Sequence, residues 1–203
     1  MIKKILVSQP APATDKSPYH DIAQNLGVEF TFQPFVKVEG LEAREFRSQK
    51  VNILDHTAIV FNSRNAIEHF FHLCKELRVI LPEDMKYFGI SEKVILYIQK
   101  FVQYRKRKVF FGTSGHWPEL LTVMAKHKTE KYLFPLSEGT SLEIAGQLDQ
   151  KKIKHTECAM FRTVQAKLDE DTFKNYDMIL IFTPVGVQSL LSNFPNFNQG
   201  DIR

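Results

Sequence analysis

The run Ala58-Ile59-Val60-Phe61 is wholly apolar and leads through Asn62-Ser63 into a helical pattern. A strand without polar alternation has both faces covered, and in a parallel sheet the helix after each strand supplies the cover. This unit constrains the fold more than any other feature, because the chain repeats it. Strands are expected over residues 2–7, 28–32, 57–61, 86–89, 109–111, 132–134 and 178–182, with 156–164 extended. Helices are expected from the Ser17-Pro18 start to the stop at Gly27, and over 42–50, 64–77, 91–102, from Pro118, over 141–151 and over 185–193. The start and stop residues are those that cap helices: Ser before Pro at one end, Gly at the other. The fold class is α/β with parallel sheets.

Hydrophobic residues make up 43% of the 203 residues and charged residues 25%, a globular composition. The net charge of +4 suits an anionic ligand and falls short of a nucleic-acid-binding protein. The run Arg105-Lys106-Arg107-Lys108, flanked by Tyr104 and Phe110, reads as a solvated loop, since binding a phosphate backbone needs a broad basic face. Two cysteines, Cys74 and Cys158, make no disulfide framework and fit a reducing compartment. The apolar run after Met1 is too short for a signal peptide or a membrane span. The expectation is a cytoplasmic monomer with neither membrane nor nucleic acid as a partner.

Cofactor motifs are missing. The first strand runs into Ser8-Gln9-Pro10-Ala11-Pro12, stiff and free of glycine, and no P-loop follows any strand. A G-x-S-x-G elbow is also absent, which disfavours an α/β hydrolase. His69 and His72 stand i,i+3 with Cys74 nearby. The apolar stripe Ile67, Phe70, Phe71, Cys74 and Leu77 turns both histidines to the opposite, solvated face, and nothing supplies further ligands. No metal and no cofactor are expected.

The turns after the strands carry more information. They read Asn62-Ser63-Arg64-Asn65, Gly89-Ile90-Ser91, Gly112-Thr113-Ser114, Ser137-Glu138-Gly139-Thr140 and Thr183-Pro184-Val185-Gly186. Each is expected at a helix N-terminus, where unpaired N–H groups and the positive dipole end can seat a carboxylate or phosphate. One exposed contact of this kind contributes about 0.3–1 kcal/mol, so several must act together. Plain capping would use the same residue types. The candidate substrate-binding residues are Ser63, Arg64, Asn65, Gly89, Ser91, Gly112, Ser114, Ser137 and Thr183. A shift of 120 positions lays Ile59-Val60-Phe61-Asn62-Ser63 over Ile179-Leu180-Ile181-Phe182-Thr183, Ile67 over Val187, and Phe70-Phe71 over Leu190-Leu191. Two readings fit: the general likeness of buried strand–turn–helix units, or two similar domains.

Taken together, five segments resemble the uroporphyrinogen-III synthase family. They are Ala58 through Ile67, Met85-Lys86-Tyr87-Phe88-Gly89-Ile90-Ser91, Tyr132-Leu133-Phe134-Pro135, Met160-Phe161-Arg162-Thr163-Val164 and Ile181-Phe182-Thr183-Pro184. The resemblance implies two parallel-sheet α/β domains joined by two extended linkers. The first would be discontinuous, residues 1–35 and 165–203, and the second would span 36–164. It also implies a substrate, hydroxymethylbilane, with eight carboxylates, held between the domains and closed into a ring with ring D inverted and water lost. No cofactor takes part.

Two departures from the family accompany the resemblance. Where relatives carry a linker tyrosine suspected of assisting hydroxide loss, this chain has Phe161, either a packed aromatic or a catalytic loss. The sequence also stops at Arg203, where the family adds a further strand–turn–helix, so the first domain is expected to lack its last elements. The alternative function is a non-catalytic two-domain module binding a polyanionic ligand. A flavodoxin-like signalling domain is a more distant third, since the acidic pocket after the first strand is missing.

Overall fold

The computed structural model of the chain describes residues 2–14, 17–169 and 175–198. In chain order its elements are β1 (Lys4–Val7), α1 (Pro18–Leu26), β2 (Glu29–Phe32), β3 (Val36–Gly40), α2 (Ala43–Ser48), β4 (Ala58–Phe61), α3 (Arg64–Glu76) and β5 (Lys86–Gly89). There follow α4 (Glu92–Ile95), β6 (Val109–Phe111), α5 (Trp117–Met124), β7 (Tyr132–Ser137), α6 (Ala145–Gln150), β8 (His155–Gln165), β9 (Met178–Leu180) and α7 (Pro184–Asn193). By its contacts the chain divides into two compact units, Met1–Lys37 with Thr163–Arg203, and Val38–Arg162. The end of the sequence at Arg203, where the first domain is expected to lack its last elements, lies outside the described residues.

The first unit holds a three-stranded parallel sheet in the order β2-β1-β9. Ile5 of β1 stands opposite Phe30 on one side and Met178 on the other. The Asp177 carboxylate accepts the N–H groups of Lys3 and Lys4 at 2.8 and 2.9 Å, fixing the start of β9 against the start of β1. Leu6, Phe35, Leu168 and Leu190 form its small core. In α1 the Ser17 hydroxyl accepts the Tyr19 N–H, Pro18 opens the helix, and Gly27 closes it with φ 62°, a left-handed conformation that glycine adopts without a Cβ penalty.

The second unit holds a six-stranded sheet in the order β3-β8-β7-β4-β5-β6. From β8 to β6 neighbouring strands run parallel. At the β3 edge, the Leu41 N–H donates to the Met160 carbonyl at 2.9 Å. The fully apolar β4 is explained by its two faces. Ile59 and Phe61 pack with Ile67 and Phe70 of α3, while Ala58 and Val60 pack with Leu120, Leu121 and Met124 of α5. Burying each such Ile, Leu or Phe contributes about 1.5–3 kcal/mol.

Several expected elements differ. The helix expected over 91–102 is only the four-residue α4, after which Leu96–Lys100 tightens into a 3-10 turn. Val94, Ile95 and Ile98 are β-branched, and helix formation restricts their χ1 freedom. The helix expected over 141–151 begins only at Ala145, because the Leu142 N–H is taken by the Glu157 carboxylate at 2.9 Å and that backbone stays open. β7 continues to Ser137, beyond the expected end at Phe134, whereas β9 stops at Leu180. β3 was not expected as a strand, although Val36-Lys37-Val38-Glu39 alternates in the strand manner.

Candidate active site

Parallel strands end on one edge of their sheet, so the turns after β7, β4, β5 and β6 stand side by side in the second unit. After β4, Ser63 is the N-cap of α3, and its hydroxyl accepts the Ala66 N–H at 3.2 Å. After β5, Ser91 caps α4 through the Val94 N–H at 3.4 Å. In the first unit, Thr183 caps α7 through the Gly186 N–H at 3.1 Å. The three caps share one backbone conformation, with φ/ψ of −153/161°, −151/162° and −140/149°. Ser63 and Thr183 are the pair aligned by the 120-residue shift, so the two turns are locally equivalent. Their covers differ at one aligned pair: Ile67 is fully buried whereas Val187 is exposed, while Phe70 and its counterpart Leu190 are both buried.

Gly89 is required by close approach, since a Cβ there would stand 2.4 Å from the Ile95 Cβ. At Gly112 a Cβ would meet the Ile90 carbonyl oxygen at 3.0 Å. Both glycines keep the backbone tight against the edge where Ser63 and Ser91 emerge.

Two of the expected turns are built differently. Thr113 and Ser114 do not lead directly into a helix; α5 starts at Trp117 and its N-cap His116 makes no side-chain cap. Their N–H groups already hold an anion. One carboxylate oxygen of Glu119 accepts the Thr113 N–H at 2.8 Å, the Thr113 hydroxyl at 2.6 Å and the Ser114 N–H at 2.8 Å. Those hydrogen bonds, led by the Thr113 hydroxyl, depress the Glu119 pKa to about 2. The turn therefore binds a carboxylate, and the chain supplies it. The sequence carried a signal for this, an acidic residue at the third helical position behind Pro118. Ser137 is the second correction: it ends β7, its carbonyl accepts the Thr140 hydroxyl and N–H, and the next helix starts only at Ala145.

The two arginines of the resemblance stand in opposite electrostatic situations. Arg162 in β8 is committed to three carboxylates, Glu45 at 2.8 Å, Glu39 at 3.0 Å and Glu138 at 3.7 Å. The backbone N–H of Glu42 and the Arg162 guanidinium together hold the Glu45 carboxyl below its ordinary value. Arg64, at the first position of α3, lies over the Tyr97 ring at 5.5 Å, and among the described residues no carboxylate pairs with it. The first turn of α3 contains no acidic residue. A cation at the positive end of a thirteen-residue helix is unfavourable by itself, and a bound anion relieves it. Asn62 and Asn65 flank it, both exposed.

Phe161 is buried in β8 and stacks on His69, with ring centroids 5.4 Å apart and planes 21° from parallel. This corrects the expectation that both histidines face solvent. Only His72 is exposed; His69 is half-buried, and burial lowers its pKa. The cause is the long β8, whose inward face needs a flat partner from α3. Among the described residues no group of three His, Cys, Asp or Glu side chains is placed to hold a metal, and no helix is long and apolar enough to cross a membrane.

The model of one protein family, uroporphyrinogen-III synthase HemD, matches residues 17–203. The chain belongs to the uroporphyrinogen-III synthase family. It is thus an enzyme of tetrapyrrole biosynthesis, and the reading as a non-catalytic module is not favoured. Solved structures agree on the fold. A mutant uroporphyrinogen III synthase from Thermus thermophilus is 13% identical, covers 94% of this chain and 77% of its own length, and superposes with a TM-score of 0.55. The Helicobacter pylori uroporphyrinogen-III synthetase is 11% identical, covers 98% and 81%, and also gives 0.55. A comparison with curated proteins gives no significant match.

Proposed function

We propose that the chain closes hydroxymethylbilane to uroporphyrinogen III, inverting ring D and releasing water, in the cytoplasm and as a monomer without a cofactor. The hydroxymethyl group leaves as hydroxide, which takes up a proton, and an electrophilic azafulvene remains. The far pyrrole attacks through its substituted carbon to give a spiro intermediate, which fragments and re-closes with the ring turned over. The electrons come from the pyrroles themselves. The protein's contribution is to fold the chain and to offer fixed dipoles where charge develops.

The observation that carries this reading is Arg64 at the head of α3, without a carboxylate partner among the described residues, beside the Ser63 and Ser91 caps. Ser63, Arg64, Asn65, Gly89 and Ser91 form the proposed carboxylate seat of the second unit, and Thr183 its counterpart in the first. α3 and α7, of 13 and 10 residues, supply the stronger dipoles; α4 has only one turn. Ser114 would receive a substrate carboxylate only by displacing Glu119, the Gly112 N–H is given to the Gly89 carbonyl so that Gly112 contributes by keeping the backbone close, and Ser137 contributes through its strand end. The division of contacts at Lys37/Val38 and Arg162/Thr163 supports two domains with β3 and β8 as the connecting segments. The test is direct. Purified protein is incubated with hydroxymethylbilane and the type I and type III products are separated; type I alone, at the uncatalysed rate, would overturn the proposal.

A further inference from the structure

The second unit contains a cavity of about 290 Å³ at the other end of its sheet. Its lining includes Lys50, Asn52, His56, Lys131, Lys154 and His155. Tyr132, which also lines it, opens β7 and pairs with Ala58 at the start of β4 and with His155 at the start of β8. In a parallel sheet that is the entry edge. Ser63 and Ser91 emerge from the exit edge, roughly 13 Å away along a four-residue strand.

The lining is cationic and chemically specific. Among the described residues, none of Lys50, Lys131 and Lys154 has a carboxylate partner. The only carboxylate in the lining is Asp55, which accepts the Asn52 side-chain amide at 2.8 Å. His56 is more than nine-tenths buried, and its Nδ1 lies 2.9 Å from the Asn52 carbonyl oxygen. A carbonyl only accepts, so Nδ1 carries the proton and Nε2 is left as an acceptor with no protein partner. The Nδ1 of His155 lies 3.2 Å from the Ile153 carbonyl oxygen and 3.9 Å from the exposed Asp149 carboxylate. The backbone at this edge is already satisfied, with the Thr57 and Ala58 N–H groups donating to the Lys131 carbonyl and the Tyr132 N–H to that of Lys154. The side chains are what remain to bind.

We propose that this cavity is a phosphate-binding site, distinct from the carboxylate seat. Three ammonium groups call for an anion and exclude a metal cation. Hydrogen phosphate also offers an O–H to the Nε2 acceptor of His56 while its other oxygens accept from the lysines. An ionised carboxylate has no proton to give, so it would leave Nε2 to water. The volume lies at the lower end for small-ligand sites and suits inorganic phosphate or a small phosphate monoester.

The test follows the histidine ring signals by NMR during titration with inorganic phosphate at neutral pH and fixed ionic strength. The signals of His56 and His155 are expected to shift saturably. The Lys131→Met/Lys154→Met protein, checked for an unchanged amide spectrum, is expected to bind at least about tenfold more weakly, because two charge-assisted hydrogen bonds are lost. Ser63→Asp should bind phosphate as the unaltered protein does. Glycerol 3-phosphate serves as the monoester probe: tighter binding than inorganic phosphate assigns the site to organic phosphates, weaker binding to the free ion. No saturable shift up to roughly 20 mM phosphate overturns the proposal. So does an equal response to citrate, or binding that survives loss of the lysines.

Discussion

Phe161 and His69 stack face to face across the second unit's core, 5.4 Å between ring centroids. Phe161 is buried there and His69 half-buried, and we propose that the residue at the family's tyrosine position acts through packing. Phe161→Tyr is therefore expected to change turnover by less than about twofold and to lower stability by about 1–3 kcal/mol, the cost of a buried hydroxyl without a partner. Turnover with hydroxymethylbilane and urea unfolding check the two halves. A large rise in turnover without tighter binding would instead mean that the hydroxyl acts on the leaving group.

The Glu119 carboxylate, held by Thr113 and Ser114, gives a prediction with a definite sign. Its folded pKa of about 2 lies below the ordinary 4.5. The stabilisation is thus complete above the ordinary value and is lost as pH falls through the folded one. Glu119→Gln should lower Tm at pH 7, and the gap from the unaltered protein should close as pH approaches 2. A gap that stays the same from pH 7 to pH 3 and below would show that the carboxylate's charge is not what the turn holds.

Ser63 allows capping and binding to be separated. Ser63→Ala removes the cap of α3 and should cost about 1 kcal/mol of stability, while Ser63→Asp keeps a capping oxygen and should fold normally. The aspartate, however, places a negative charge where a substrate carboxylate is proposed to sit. Product binding, followed by fluorescence, should weaken far more for Ser63→Asp than for Ser63→Ala, and the difference should shrink as salt rises. Equal binding by both proteins at low salt would leave Ser63 as a helix cap only.

Gly89 and Gly146 should respond in opposite directions to alanine. At Gly89 the new Cβ would stand 2.4 Å from Ile95, and a cost of about 1–3 kcal/mol is expected from overpacking. At Gly146 in α6 nothing lies within 4 Å, so alanine should stabilise by up to about 1 kcal/mol. Chemical denaturation of the two variants checks this; a neutral Gly89→Ala would mean that the β5–α4 turn can open.

The strands that were legible in the sequence are those set by local pattern. Lys86–Gly89 and Val109–Phe111 have the expected bounds, because a short apolar run between polar turns has little freedom in how it pairs. What stayed hidden depends on distant partners. Nothing near Leu142 announces that Glu157 will take its N–H and delay α6, and nothing near His69 announces the ring of Phe161. At the candidate site the Ser63, Ser91 and Thr183 caps were readable from residue type. The filling of the Thr113–Ser114 turn depends on how the chain bends back, although Glu119 stands only five or six residues away.

The sheet of the first unit is assembled from opposite ends of the chain: Lys4 and Asp177, 173 residues apart, meet at its start. During synthesis β1 emerges first, but β9 reaches it only after residues 38–162 have been made. That intervening stretch forms a compact unit from a continuous sequence, so it can gather its six strands while β1 still has an open edge. Once gathered, it replaces a long flexible loop with a short effective one and lowers the entropy needed to close the outer sheet. The order of birth is thus the reverse of the order of residues, the middle maturing before the beginning, and a slow middle would leave β1 exposed to pairing with other chains.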